Sequence, residues 1–161
     1  MKNTSLDTST FAFAEAYRAC ASDLAAACGL GVPQPDAVDC TWYLDPRIEA
    51  LGCLADGRIG AFILYTRQPF FMESADGEIL DLWVGKDHRR TGVGHALTEA
   101  VMAQVPGAIG IQIHQSNLAA KRFWTTVCAS AGRSMVPLAV GEDGENLYLL
   151  VPNLVEAGKK R

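Results

Sequence analysis

The stretch Glu78-Ile79-Leu80-Asp81-Leu82-Trp83-Val84-Gly85-Lys86-Asp87-His88-Arg89-Arg90-Thr91-Gly92-Val93-Gly94-His95-Ala96-Leu97 leaves few options for a fold. Residues Glu78 to Val84 alternate well enough for a strand. A basic, glycine-containing loop from Lys86 to Gly94 follows. A helix is then predicted from His95 to Val105, with Leu97, Val101 and Val105 on one stripe. Gly92 and Gly94 let the backbone approach a ligand closely or take a positive φ. The free N–H groups of a first helical turn favour an anion. Arg89 and Arg90 add forked donors suited to phosphate. Together these residues describe a pyrophosphate cradle. A turn shaped by glycines beside a solvated basic surface is the competing reading. A dinucleotide fingerprint would need Gly or Ala where Leu97 stands, and a Walker A loop needs Gly-Lys-Ser/Thr, which is absent.

The rest of the chain reads as elements around this unit. Ser9 or Thr10 caps a helix through Phe11, Phe13, Ala16, Tyr17, Cys20 and Leu24, stopped by Gly29, Gly31, Pro33 and Pro35. Residues 32–46 look irregular. Ile48 to Leu54 and Ile59 to Tyr65 form a hairpin around Asp56-Gly57. Pro69 and Ser74 to Gly77 mark a longer loop. Ala108 to His114 is a buried strand, and Ser116 or Asn117 caps a helix ending near Gly132. Met135 to Val140 and Asn146 to Val151 form a last hairpin across Gly141 to Gly144. The order predicts one α/β (α+β) domain spanning residues 1–161.

Composition narrows the partners. The net charge of -4 over 161 residues argues against a nucleic-acid binder that relies on overall positive charge. No apolar run reaches the length of a membrane span, and residues Met1 to Thr10 carry no secretory signal. Cys20, Cys28, Cys40, Cys53 and Cys128 are odd in number and lack C-x-x-C spacing, so they read as reduced, in a cytoplasmic protein. No compact Cys or His spacing involving His88, His95 or His114 suggests a metal site.

The spacing Arg89-x-x-Gly92-x-Gly94, between a strand ending in Val84 and an amphipathic helix, resembles motif A of the GNAT superfamily of acyl-coenzyme-A-dependent N-acyltransferases. Asn117-x-x-Ala120-x-x-Phe123-Trp124 is similar to the family's motif B. The resemblance implies a mixed, mostly antiparallel sheet of about six to seven strands flanked by about four helices. It implies acetyl-coenzyme A as co-substrate. Arg89, Arg90, Thr91, Gly92, Val93 and Gly94 would receive its pyrophosphate. Leu82 and Val84 would pair with the pantetheine arm through backbone, Asn117 would bond that arm, and Trp124 would lie near it. Asn117 is equally well read as a plain helix cap, and Phe123 and Trp124 as core aromatics.

The implied reaction is direct attack of an amine on the thioester, so a base helps. Family members often place it on the strand of motif A, at the positions of Leu80 and Glu78. Leu80 has no proton acceptor, which leaves Glu78 first. Asp81 comes second, because strict alternation puts it on the opposite face. An exposed strand-start carboxylate is the plainer reading of Glu78. Trp124 departs from the tyrosine common at that position, and an indole cannot act as a useful acid. Tyr148 or Tyr65 could substitute. The N-terminus also departs, with the usual first strand weak or absent.

Acceptor selection would fall to Tyr17, Arg18, Asp23, Asp36, Asp39, Trp42, Tyr43, Asp45, the Phe70-Phe71-Met72-Glu73 loop and the terminal hairpin. Acidic and aromatic groups there suit a small-molecule or peptide amine, or are simply loop composition. Phe70, Phe71 and Met72 could instead form a homodimer contact. The leading expectation is an N-acetyltransferase. The alternatives are a non-catalytic acyl-coenzyme-A-binding sensor or interaction module, and an unrelated phosphate-binding domain.

Overall fold

Thr10 starts the first helix, as its cap position predicts. Its hydroxyl accepts the Phe13 N–H at 3.2 Å. In the computed structural model, which describes residues 3–141 and 144–152, this helix, α1, runs Phe11–Ala27. Before it lies a two-residue strand, β1 (Thr4–Ser5), that the sequence barely announces. It is held from outside by pairing with Leu51 and Gly52. A side chain on Gly52 would meet Leu6 and the Ala61 carbonyl, so glycine lets the N-terminal segment lie close.

The remaining elements are β2 (Ile48–Ala55), β3 (Arg58–Thr66), β4 (Gly77–Val84), α2 (Val93–Gln104), β5 (Ile109–His114), α3 (Leu118–Ser130), β6 (Val136–Val140) and β7 (Asn146–Val151). Residues 28–47 hold only two single-turn 3-10 helices, Pro35–Ala37 and Trp42–Leu44. The described residues therefore contain three α-helices where about four were expected, because Gly29, Gly31, Pro33 and Pro35 interrupt this segment. One mixed sheet of seven strands has the order β1-β2-β3-β4-β5-β7-β6. Among the described strands only the central β4–β5 pair is parallel.

The sheet has a core on each face. Helices α2 and α3 cover one, where Leu97, Val101, Trp124 and Val127 pack on Ala61, Ile63, Tyr65, Ile79 and Ile111. Helix α1 covers the other, where Phe13, Ala16, Cys20 and Tyr43 pack on Ile48, Ala50, Phe62 and Leu64. All five cysteines are free thiols and four are buried. Among the described residues no helix is long and apolar enough to cross a membrane.

Two irregularities shape the middle of the sheet. The β3–β4 register jumps from Leu64 opposite Asp81 to Tyr65 opposite Ile79, so Leu80 is an extra residue on β4. A bulge of this kind bends its strand and shifts the phase of its side chains. Just beyond it, the parallel ladder ends. Gly77 pairs with Ile109, Glu78 with Gly110 and Ile79 with Ile111, and no pairing follows. The two strands then splay.

Gly77 opens β4 where a Cβ would stand 2.6 Å from the Thr66 carbonyl and 2.9 Å from Val105. Gly77→Ala is expected to cost about 1–3 kcal/mol. A urea unfolding midpoint equal to that of the parent would show that the backbone relaxes around it.

Candidate active site

The splay leaves main-chain groups of Leu80 to Val84 without a β5 partner and opens a cleft of about 590 Å³. From the α1 side it is lined by Cys20, Asp23, Leu24 and Cys28, and from the α3 side by Asn117, Ala120, Phe123 and Trp124. A continuous sheet separates its two faces. Here the gap joins them, so a group held beside α3 can meet a group held beside α1.

The bulge decides which side chains reach that gap. Opposite residues of an antiparallel pair share a face. Glu78 faces with Thr66, Asp81 with Leu64 and Trp83 with Phe62. Glu78 and Asp81 therefore lie on the same face, the α1 face, and strict alternation is corrected. Leu82 and Val84 go with Ile63 and Ala61 to the α2/α3 face. The adjacent apolar pair Ile79-Leu80 between two carboxylates was the sequence trace of this shift.

Glu78 shares the face but not the cleft. Its side chain is buried, with 1% exposure. Its Oε2 accepts the Phe70 N–H at 2.9 Å, and its Oε1 accepts the N–H groups of Phe71, at 2.9 Å, and Met72. The carboxylate thus anchors the 70–72 loop, and the reading of Glu78 as an exposed strand-start group is overturned. Gly110 makes room for this anchor. A Cβ there would meet the Met72 thioether at 2.8 Å and Glu78 Cγ at 3.1 Å. Met72 is buried and Phe70 packs against the α1 core, which leaves Phe71 as the exposed residue of the three.

Asp81 lines the cleft. Burial of its carboxyl pushes the pKa up to about 7, against the lowering effect of a hydrogen bond from Tyr17. That hydroxyl stands 3.4 Å from Asp81 Oδ2 and accepts the Trp42 indole N–H at 2.7 Å. An indole N–H can only donate. The phenol proton is thereby directed to Asp81. Burial also pushes the Tyr17 phenol and the neighbouring Cys20 thiol upward, so both stay protonated near neutrality. Of the acceptor-side candidates, the fold brings Tyr17, Asp23 and Trp42 to this place. Tyr43 is buried in the core, and Asp39 and Asp45 cap their own turns through Thr41 and Arg47.

The motif A loop reaches the cleft through Arg89, and its Gly94 packs beside the cleft residues Val84 and Phe123. Gly92 is the N-cap of α2 with φ of 85°, a left-handed conformation that suits glycine, and no side chain caps the helix. The first intrahelical bond runs from the Ala96 N–H to the Gly92 carbonyl. The N–H groups of Val93, Gly94 and His95 therefore face out of the helix start, as an anion requires. Arg90 has φ of 62°, and the Thr91 hydroxyl donates to the His88 carbonyl at 2.6 Å. Gly94 lies where a Cβ would stand 3.3 Å from Val84 and 3.4 Å from Phe123, which keeps loop, strand and α3 close.

Arg89 is directed elsewhere. Its Nε donates to the Val84 carbonyl at 3.0 Å and its terminal nitrogen lies 2.6 Å from Asp23 Oδ2. The Trp83 indole, which sequence reasoning did not single out, donates to the same Asp23 oxygen at 3.1 Å. Asn117 caps α3, its Oδ1 accepting the Ala120 N–H at 3.0 Å. Trp124 is buried on the cleft wall, and no acceptor among the described residues takes its indole N–H. Tyr65 bonds Glu49 and Gln104 and Tyr148 pairs opposite Gln112; neither lines the cleft. No group of three or more possible metal ligands occurs among the described residues.

Comparison with known proteins places this architecture. The acetyltransferase (GNAT) family profile matches residues 12–128, and the chain belongs to that family. Its fold is similar to that of an acetyltransferase from Thermus thermophilus, with a TM-score of 0.70, 16% identity, and coverage of 95% of this chain and 98% of that one. It is also similar to PaiA N-acetyltransferase from Thermoplasma acidophilum in complex with coenzyme A, with a TM-score of 0.63, 14% identity, and coverage of 95% and 100%. A third similar structure is the ribosomal-protein-S18-alanine N-acetyltransferase of Escherichia coli, with a TM-score of 0.59, 16% identity, and coverage of 93% and 90%. No curated protein sequence matches the chain significantly. Membership of the family assigns the protein to acyl transfer.

Glu78→Gln puts an NH₂ group among backbone donors and is expected to cost about 1–3 kcal/mol of stability. Chemical denaturation checks this, and turnover per folded molecule should hold. Asp81 gives a pH signature. Its folded pKa is raised, so the folded state binds the proton more tightly. The stability this contributes is full below about pH 4 and is lost as pH rises through about 7. Asp81→Asn should therefore gain stability relative to the parent across that window and level off above it. A parallel pair of stability curves would remove the raised pKa.

Proposed function

We propose that this protein moves an acetyl group from acetyl-coenzyme A to a primary amine of a small molecule or peptide by direct attack. The observation that carries this reading is the gap between β4 and β5, with Asp81 on its α1 side and an uncapped helix start packed beside its lining residues Val84 and Phe123. Coenzyme A suits both features. Its diphosphate matches the outward N–H groups of Val93, Gly94 and His95, with Arg90, Thr91 and Gly92 assigned to the same anion, and its amide-bearing arm matches the unpaired backbone at Leu82 and Val84. The side-chain amide N–H of Asn117 is left to bond the arm while its oxygen caps α3. Trp124 would flank it. Similar folds include enzymes crystallised with coenzyme A.

Bound acetyl-coenzyme A supplies the electrophilic thioester carbonyl. The protein must then accept a proton, because an ammonium has no lone pair. We assign this to Asp81, in place of Glu78. A base works best with a pKa near the working pH, and that of Asp81 is about 7. Tyr17, aimed by Trp42, holds the carboxylate on the cleft wall. The leaving thiolate needs little help, since a thiol pKa is about 8.5. Trp124 can steady it with a hydrogen bond without giving up a proton. The non-catalytic alternative gains from Trp124 but gives no account of a carboxyl raised at the gap.

Asp81→Asn is expected to lower kcat about a hundred-fold or more and leave coenzyme A affinity unchanged. Thiol release across a panel of primary amines, with calorimetry on coenzyme A, measures both. Full turnover by the variant would remove Asp81 as base. A parent that binds coenzyme A but never releases thiol would favour the sensor.

A further inference from the structure

Arg89 is the one motif A residue whose side chain is already engaged at the cleft, and both of its partners stand there. One guanidinium spans the Val84 carbonyl, at the open end of the unpaired β4 edge, and the Asp23 carboxylate of α1. Asp23 is itself fixed by the Trp83 indole. The arginine therefore bridges α1 to the cofactor loop across the mouth of the slot. Resting on the coenzyme A reading above, we propose that Asp23 parks Arg89 over the Val84 carbonyl, so that the slot admits an arm carrying phosphates and resists the same arm without them.

The basis is competition. Arg89 Nε takes the Val84 carbonyl at 3.0 Å, so an amide N–H that comes to the same oxygen meets a bulky cation beside it. An uncharged pantetheine must push the guanidinium off Val84 while Asp23 holds it there, and offers no anion in return. A diphosphate offers multiple charges and planar oxygen pairs that a guanidinium fits. The ion pair it must break is weak enough to lose. Its side chains are 47% and 27% exposed, and pairs of this kind are worth at most about a five-fold change in an equilibrium. Asp23 thus sets a modest threshold that an anionic ligand offsets and that only weakens a neutral one. Release of Arg89 also leaves the Asp23 carboxylate facing the cleft, on the same side as Asp81.

Calorimetry with coenzyme A and with pantetheine on the parent, Asp23→Asn, Arg89→Ala and the double variant tests this. Asp23→Asn should tighten coenzyme A about two- to five-fold, the range that breaking an exposed ion pair allows. In the Arg89→Ala background the same change should have no effect. Arg89→Ala should weaken coenzyme A yet strengthen pantetheine, opposite signs that simple charge attraction does not produce. A gain from Asp23→Asn that persists without Arg89 would reflect only the removal of a negative charge near an anion, and would overturn the proposal. So would pantetheine binding that ignores Arg89. A parent that does not bind coenzyme A at all would instead remove the underlying reading of the slot.

Discussion

Strands β4 and β5 stay paired only from Gly77–Ile109 to Ile79–Ile111, and the site depends on where they part. The parting coincides with the Leu80 bulge, which bends β4 immediately after its last paired residue. Beyond it the strand keeps its β3 partner but presents an open main-chain edge to the cleft. A ligand arm can add to that edge as a strand would. The same gap connects the α3 face to the α1 face, which allows two reactants bound on opposite sides of one sheet to meet. Gly110 helps hold the vertex, because its missing side chain admits Glu78 and Met72.

The bulge also divides labour between two carboxylates only three positions apart. Glu78 is surrounded by backbone N–H donors and organises the 70–72 loop. Asp81 has one long hydrogen bond, and burial of its carboxyl group holds its proton to near neutrality. A carboxylate satisfied by three donors is a structural tie. One that is desolvated and poorly satisfied is chemically available. The side chain is nearly the same in both, and the surroundings set the role.

Around them the protein uses its charges sparingly. The chain is acidic overall, with a net charge of -4, yet basic residues gather beside the start of α2. That helix start needs no side-chain cap if an anion takes the place of one. Arg89, the residue of the loop with the most obvious affinity for phosphate, commits its donors to Asp23 and Val84. The proposed cradle would therefore rest mainly on backbone geometry at Gly92 and Gly94, and Arg89 links that geometry to α1.

Much of this was legible in the residues. Periodicity located the helices and strands, because burial on one face repeats at 3.6 or 2 residues whatever the rest of the chain does. Glycines and a cap signal located the loop and the start of α3, because those are local backbone requirements. The family resemblance rested on the same local spacings. What residues 78–84 would do was not legible. Whether Glu78 or Asp81 met the cleft depended on a bulge defined by pairing with β3. The pKa of Asp81 depended on burial beneath segments distant in sequence, Tyr17 and Trp42 among them, and the engagement of Arg89 on a carboxylate in α1. The elements, their order and the glycine turn that starts α2 were written along the chain, since each depends on near neighbours. Which carboxylate faces the gap and which serves as a tie was settled in three dimensions, since strand register and desolvation arise from contacts between segments.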